Sequence, residues 1–228
     1  MGSTNLRENF DELLNGLLDE VLLLGSMVEE NVHNSISALS QRNHMAARQV
    51  HDFDQKINHK RYSIEDTCVT LIVTQQPMAK DARFLIAVLE ISTELERIGD
   101  YAKGIAKITV LLGEEQMDLT LLAYLRQMEE TGLQMLRLSL DAFFRRDVHL
   151  AREIPFTDDT IDGLYNKIYR YLAARMIENH VAVDKLSYIL WAAHNLERLA
   201  DRVANICERT VYLVTGELNE LATNDDFA

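Results

Sequence analysis

Two stretches of the chain, Leu95-Glu96-Arg97-Ile98-Gly99-Asp100 and Leu196-Glu197-Arg198-Leu199-Ala200-Asp201, decide how the rest is read. With a shift of 101, residues 85–112 match residues 186–213 at ten positions, including Leu85/Leu186, Leu89/Leu190, Ile105/Ile206 and Thr109/Thr210 as well as the quoted Leu, Glu, Arg and Asp. With a shift of 104, residues 35–58 match residues 139–162 at seven, among them Arg42/Arg146, Ala47/Ala151, Asp54/Asp158 and Ile57/Ile161. The chain is a tandem duplication whose second copy is three residues shorter between the two blocks. Two copies of about 100 residues are too few for a solenoid, which needs three or more stacked units. They read as two three-helix bundles side by side, residues 1–115 and 116–228.

The helical reading comes from the spacing of apolar residues outside these blocks. Leu13, Leu17, Val21 and Leu24 form one stripe, which Val28, Val32, Ile36 and Leu39 continue. A second helix is expected over residues 43–74. Pro77, which lacks a backbone donor, should interrupt the chain and fit in the first turn of a third helix fading near Gly113. Gly113-Glu114-Glu115-Gln116 reads as a polar linker. The pattern then returns, with helices expected over 119–146, 147–179 and 181–215, a C-terminal cap at Gly216 and a frayed tail at residues 223–226.

Composition agrees with an all-α chain and narrows its partners. Two prolines and nine glycines in 228 residues cannot supply a turn every ~8–12 residues, as a sandwich or barrel requires. Hydrophobic residues at 47% and charged residues at 26% are ordinary for a soluble globular protein. A net charge of −13 repels phosphate backbones and gives no pull toward anionic lipid, so neither nucleic acid nor membrane insertion is expected. The N-terminal residues Met1-Gly2-Ser3-Thr4-Asn5-Leu6 show neither a signal-peptide core nor the myristoylation pattern, and no apolar run nears the ~20 residues that span a bilayer. A cytoplasmic location is expected. Cys68 and Cys207 suggest no disulfide framework and read as buried thiols.

The duplication also singles out charged residues. Glu96-x-x-x-Asp100 returns as Glu197-x-x-x-Asp201, and Asp54-x-x-x-Asn58 returns as Asp158-x-x-x-Asp162. Residues spaced i, i+4 share one helix face with Cβ atoms about 5–6 Å apart, and like charges there destabilise a bare helix. In each copy one pair falls on the second helix and one on the third, so antiparallel packing could set the pairs face to face. All-oxygen ligation suits hard cations such as magnesium, calcium, manganese and ferric iron. No histidine repeats: His51 corresponds to Pro155 and His194 to Thr93, which weakens a di-iron oxidase of the Glu-x-x-His kind. The competing reading is a solvated helix face, with Arg97 and Arg198 as salt-bridge partners. Lys103 and Glu208 lie near the carboxylate faces, and Asn205 reads as a further ligand or a polar surface residue. Met128, Met135 and Met176 read as core filler, Trp191 as packed within the last helix, and Gly99 and Gly104 as points of close helix approach. No Walker pattern or other Gly-rich phosphate loop is present, and no triad can be argued.

The twin Leu-Glu-Arg-x-x-Asp segments resemble the doubled Leu-Glu-Arg-Ile-Gly-Asp signature of the PhoU family, bacterial phosphate-transport regulators. Gln76-Pro77-Met78-Ala79-Lys80-Asp81-Ala82-Arg83 is similar to that family's Gln-Pro-x-Ala-x-Asp-Leu-Arg stretch. Asn205-Ile206-Cys207-Glu208, Val211-Tyr212 and Gly216 resemble its closing segment. The resemblance spans about residues 6–217. It implies paired three-helix bundles, a homodimer, and multinuclear metal clusters of iron, manganese, magnesium or zinc held by Asp54, Asn58, Glu96 and Asp100 at one site and Asp158, Asp162, Glu197 and Asp201 at another. It implies a negative regulator of phosphate uptake and starvation signalling, not an enzyme, that contacts the phosphate ABC transporter and its sensor histidine kinase at the inner membrane face. A metal-dependent enzyme, a metal-storage bundle and an accessory protein of a low-affinity phosphate transporter are the alternatives. The chain departs from the family pattern at Asn58, which replaces a carboxylate and makes the first site the weaker, and at Ala200 and Ala82.

Overall fold

A computed structural model describes residues 2–113, 116–178 and 183–221, with side chains described from residue 8 onward. Glu114 and Glu115 of the expected linker, the expected helix limits at 179 and 181, and the tail at 223–226 lie outside the described residues. The helices are α1 (Gly2–Gln41), α2 (His44–Gln75), α3 (Lys80–Leu112), α4 (Leu119–Arg145), α5 (Val148–Glu153), α6 (Asp158–Glu178) and α7 (Val183–Thr215), with a 3₁₀ turn at Ile154–Thr157 between α5 and α6. Among the described residues there is no strand.

The duplication reaches the backbone of the turns. Arg42 and its counterpart Arg146 both take left-handed backbone (φ 54° and 57°) to end α1 and α4. The next residues, Asn43 and Asp147, each donate a backbone N–H to an alanine carbonyl five residues back, Ala38 and Ala142, at 2.9 Å. Their side chains then accept from the first free amides of the following helix, Met45 and Ala46 in one copy, His149 and Leu150 in the other.

Three expectations need correction. The continuous helix expected over 147–179 is broken, because Pro155 lacks the N–H an α-helix needs; the chain turns 3₁₀ and restarts at Asp158. Pro77 lies outside α3 rather than in its first turn: Gln76 closes α2 in a left-handed conformation, Ala79 also has positive φ, and the helix begins at Lys80. Leu13, expected to join the apolar stripe of α1, is 48% exposed, whereas Leu17, Val21, Leu24, Val28, Val32, Ile36 and Leu39 are buried. Gly216 does take the positive φ of a C-terminal cap, its N–H bonded to the Tyr212 carbonyl.

Helices α1, α2 and α3 form one bundle, and α4, α6 and α7 with α5 form the other. The halves meet through α3 against α7 and α1 against α4, and one hydrophobic core runs through both. Phe84 of the first half stacks on Phe143 of the second, ring centroids 6.2 Å apart. Helices α2 and α6 therefore flank a central layer of α1, α3, α7 and α4.

The α3–α7 seam is antiparallel and in strict register. Glu94 meets Asn205 and Arg202, Tyr101 meets Arg198, and Gly104 meets Asn195. Residue for residue the register inverts about Gly99 and Ala200, the equivalent positions of the two copies, so the halves are related by a pseudo-twofold. Glu94 is 6% exposed. Its carboxylate accepts from Arg97 at 2.9 Å, Asn205 at 3.1 Å and Arg202 at 3.2 Å. A Cβ on Gly104 would lie 3.2 Å from the Asn195 amide, so a small residue is needed for this approach. At the α1–α4 contact, Gly25 admits Leu140 against the backbone, Glu29 pairs with Arg137, and His33 Nδ1 donates to the buried Glu129 at 2.8 Å.

Two outcomes follow for stability. Glu94→Ala leaves Arg202 half-buried without its counter-ion and should cost about 3 kcal/mol in chemical denaturation. Adding Arg202→Ala should cost less than the two single losses together, since both remove one interaction. Burial raises the Glu129 carboxyl above its ordinary 4.5, with the His33 hydrogen bond acting against the shift. The native state then holds that proton more tightly than the unfolded chain, so the group's contribution to stability falls as pH rises from 4.5 through the raised value. Glu129→Gln should melt higher relative to the parent at pH 7 than at pH 4.5; a difference independent of pH would contradict this account.

Candidate functional site

Helix α3 carries two polar stripes. Glu94, Arg97, Tyr101 and Gly104 face α7. Glu96, Asp100 and Lys103 form a second stripe, which is turned toward α2; at about 100° per residue, the centres of the two stripes lie roughly a third of a turn apart. Gly99 lets α2 approach: a Cβ there would meet Ile57 at 3.2 Å and Asp54 Oδ1 at 3.9 Å.

The first expected site is assembled in this cleft. Asp54 is 1% exposed. Its Oδ2 accepts from Lys103 Nζ at 2.7 Å and from the Asn58 amide at 3.2 Å, and Lys103 also lies 3.5 Å from Asp100 Oδ1. Bonding to Asp54 is the main reason that the Lys103 ammonium holds its proton above its ordinary range. Burial first, then Asp100, raises the Glu96 carboxyl; Asp54 adds to the rise, while Arg61 and Arg97 oppose it. Asp54 Oδ1 and Asn58 Oδ1 are buried without a hydrogen-bond partner. Of the four residues singled out from the repeat, Asp54 and Asp100 are bridged by the Lys103 ammonium, Asn58 is bonded to Asp54, and Glu96 lies near enough to feel the charges of Asp100 and Asp54.

The residues of the second expected site are divided between α6 and α7. Asp158 opens α6 directly after the 3₁₀ turn, and Asp162 follows one turn later. On α7, Glu197 accepts from His194 Nδ1 at 2.7 Å, and Asp201 pairs with Arg198 Nε at 3.4 Å. The Tyr165 hydroxyl is raised by burial and, next, by the charge of Glu197, which places Tyr165 beside that carboxylate. The repeat puts Tyr165 where the first site has Arg61, and Ala204 where it has Lys103.

The two sites differ in how they suit a metal. Among the described residues no three His, Cys, Asp or Glu side chains stand together in a metal-holding arrangement. In the first site a bonded ammonium occupies Asp54 Oδ2, one expected oxygen ligand is a neutral amide and Arg61 adds positive charge, while Asp54 Oδ1 and Asn58 Oδ1 remain buried without a hydrogen-bond partner. The second site has the donor chemistry of a hard-cation site, four carboxylates on two packed helices with alanine at the lysine position. Glu197 and Asp201 would have to leave His194 and Arg198 to converge.

The remaining expectations divide. Met128 and Met135 are core, with Met176 packed against it, and Cys68 and Cys207 are buried free thiols pushed up to about 12 by burial, too high for reactive thiolate. Trp191 is not packed within its helix; it is 56% exposed, in edge contact with Tyr188. Asn205 is neither a ligand of the second site nor a surface residue, because it binds Glu94 across the seam. Arg97 bonds Glu94 rather than the adjacent Glu96. Glu94 itself escaped the internal comparison because its counterpart is Asn195. No described helix is long and apolar enough to cross a membrane.

Comparison with known proteins agrees with this architecture. The family model described as "PhoU domain" matches twice, over residues 21–109 and 125–210. The chain is 35% identical over 217 residues to the "Phosphate-specific transport system accessory protein PhoU homolog" of Clostridium acetobutylicum, covering 94% of this chain and 98% of the relative. It is 33% identical over 221 residues to the PhoU protein of Escherichia coli, covering 95% and 91%. The crystal structure of the phosphate transport system regulatory protein PhoU from Streptococcus pneumoniae superposes with a TM-score of 0.86 at 34% identity, covering 93% of this chain and all of that one. With both repeats matched and the fold shared over 93% of its length, the chain belongs to the PhoU family.

Proposed function

We propose that this protein is a negative regulator of phosphate uptake and phosphate-starvation signalling, an adaptor that acts by contact and not by turnover. The observation that carries this reading is the match of both repeats, signature included, to relatives named as accessory proteins of the phosphate-specific transport system. Its partners would be the phosphate ABC transporter and the sensor histidine kinase on the cytoplasmic side of the membrane, and it would work as a homodimer. The two functional units divide near residues 115 and 116. Asp158, Asp162, Glu197 and Asp201 would hold iron, manganese, magnesium or zinc. A bound cation supplies positive charge that cancels the repulsion among these carboxylates. The residues' own part is to draw α6 and α7 together at that point.

Deleting the gene should leave starvation genes expressed in phosphate-rich medium. Capture of the tagged protein from phosphate-replete cells should recover transporter or kinase subunits; normal repression in a deletion strain with no second copy would sink the assignment. Recovery of a low-affinity transporter instead would move the protein to that alternative.

For the metal, Asp162→Asn and Glu197→Gln should each lower the bound metal measured by elemental analysis. Chelator should lower the melting temperature of the parent more than that of either variant. A parent that melts identically with and without metal, and binds none at micromolar levels, would make these pairs an ordinary solvated face.

A further inference from the structure

We infer that a cavity at the open end of the second bundle is a docking seat for an acidic amphipathic helix of a partner protein. The seat gives the proposed adaptor a contact surface but stands without that reading: peptide binding tests the seat, and gene deletion tests the reading.

The two repeats are closed differently at equivalent ends. Shifted by 104, the first residue of α4, Leu119, falls on Asn15, whereas α1 already begins at Gly2. The extra turns of α1 cover the end of the first bundle. Phe10 is buried in the same core as Leu17, Leu85 and Val88, and Leu14 packs against that core. The counterparts of Leu17, Leu85 and Val88 are Leu121, Leu186 and Ile189. No equivalent turns precede Leu121, because residues 116–118 are non-helical and α4 starts only after the Asp118 cap. What is left is a cavity of about 490 Å³, with Leu121, Leu186 and Ile189 in its lining beside Leu112 of the first repeat. Leu186 is half-buried where Leu85 is fully buried, and Leu119 at the rim is 82% exposed. One wall is braced by its own bonds. Asp118 accepts from the Thr120 amide at 2.7 Å and from the Tyr171 hydroxyl, and Arg175 donates to that hydroxyl at 3.0 Å.

The first repeat shows what fits such a place. There the end of the bundle is filled by a helix that anchors through Phe10 and Leu14, spaced i, i+4, with Glu8, Asp11 and Glu12 beside them. A helix that docks in a groove is read through the same spacing of apolar anchors. The charge of the lining suits the same kind of helix. Arg175 and Lys185 balance Asp118 and Glu178 there, in a chain of net charge −13, so this rim accepts acidic side chains that the chain as a whole repels.

The test uses the full chain and, as probe, a fluorescein-labelled synthetic peptide of residues 5–17, followed by anisotropy. Saturable binding is expected. Phe10→Ala in the peptide and Leu119→Glu in the protein should each weaken it by about tenfold or more. Lys185→Glu should weaken it at low salt, with the difference shrinking at high salt. Leu119 and Lys185 are both exposed, so these variants keep the fold. Absence of saturable binding would overturn the inference, as would equal binding of a scrambled peptide. Undiminished binding to the Leu119→Glu protein would also overturn it, by placing the peptide elsewhere, such as at the seat of α1 in the first repeat. A peptide that separates associated copies of the chain, as followed by sedimentation, would assign the seat to a second copy and overturn the partner reading.

Discussion

Everything else in the molecule is arranged around the antiparallel packing of α3 on α7. Each of these helices is the third of its repeat, and each must serve two neighbours: the other repeat's equivalent helix on one side, and its own second helix on the other. A helix can do this only if two sets of residues, offset by roughly a third of a turn, carry different chemistry. On α3 the set containing Glu94 and Arg97 bonds across the seam, and the set containing Glu96 and Asp100 lines the cleft toward α2. The charged signature and the seam are therefore physically coupled, since turning α3 to improve one would spoil the other.

The pseudo-twofold about Gly99 and Ala200 explains why the halves share one core, and also where they differ. Equivalent positions on the two helices face each other across an inverted register, so a change in one copy is not mirrored automatically in the other. Glu94 gathers Arg97, Arg202 and Asn205 on one side of the axis; on the other, its equivalent Asn195 lies against Gly104, and Arg198 meets Tyr101. A buried carboxylate shared by two arginines is sensitive to removal of any one partner, because the charge left behind has lost its water. Pro155 breaks the second repeat's equivalent of α2 just ahead of Asp158, where the first repeat continues through His51 to Asp54 without interruption. The carboxylate of the second site therefore starts a helix, and that of the first lies within one.

Much of this was legible in the residues. The helical class, the duplication, the Gly216 cap and the buried thiols all follow from spacing along one chain, because a helix turns periodicity into a face and a repeat turns coincidence into a test. The internal comparison had a blind side, however. It picks out charges that recur, so it passed over Glu94 and Glu129, which occur once, and gave Lys103 no role, since its counterpart is alanine. Local signals also misplaced Pro77, because the left-handed turn at Gln76 delays the start of α3, and Trp191, because an apolar ring on an amphipathic helix says nothing of whether a neighbour covers it.

What the sequence by itself determined is the all-helical class, the duplication and most of the buried helix faces, since these depend on backbone hydrogen bonding and apolar periodicity over a few residues. What only the tertiary structure decided is which polar groups meet: that Asn205 serves Glu94 and not the second site, that Arg97 turns away from Glu96, and that an ammonium group lies in the first carboxylate cleft. The Asn205–Glu94 and Lys103–Asp54 pairings join residues 111 and 49 positions apart. Electrostatic contacts depend on distances of a few ångströms and on how much water the packing excludes, and neither exists until α3 is set against α2 and α7.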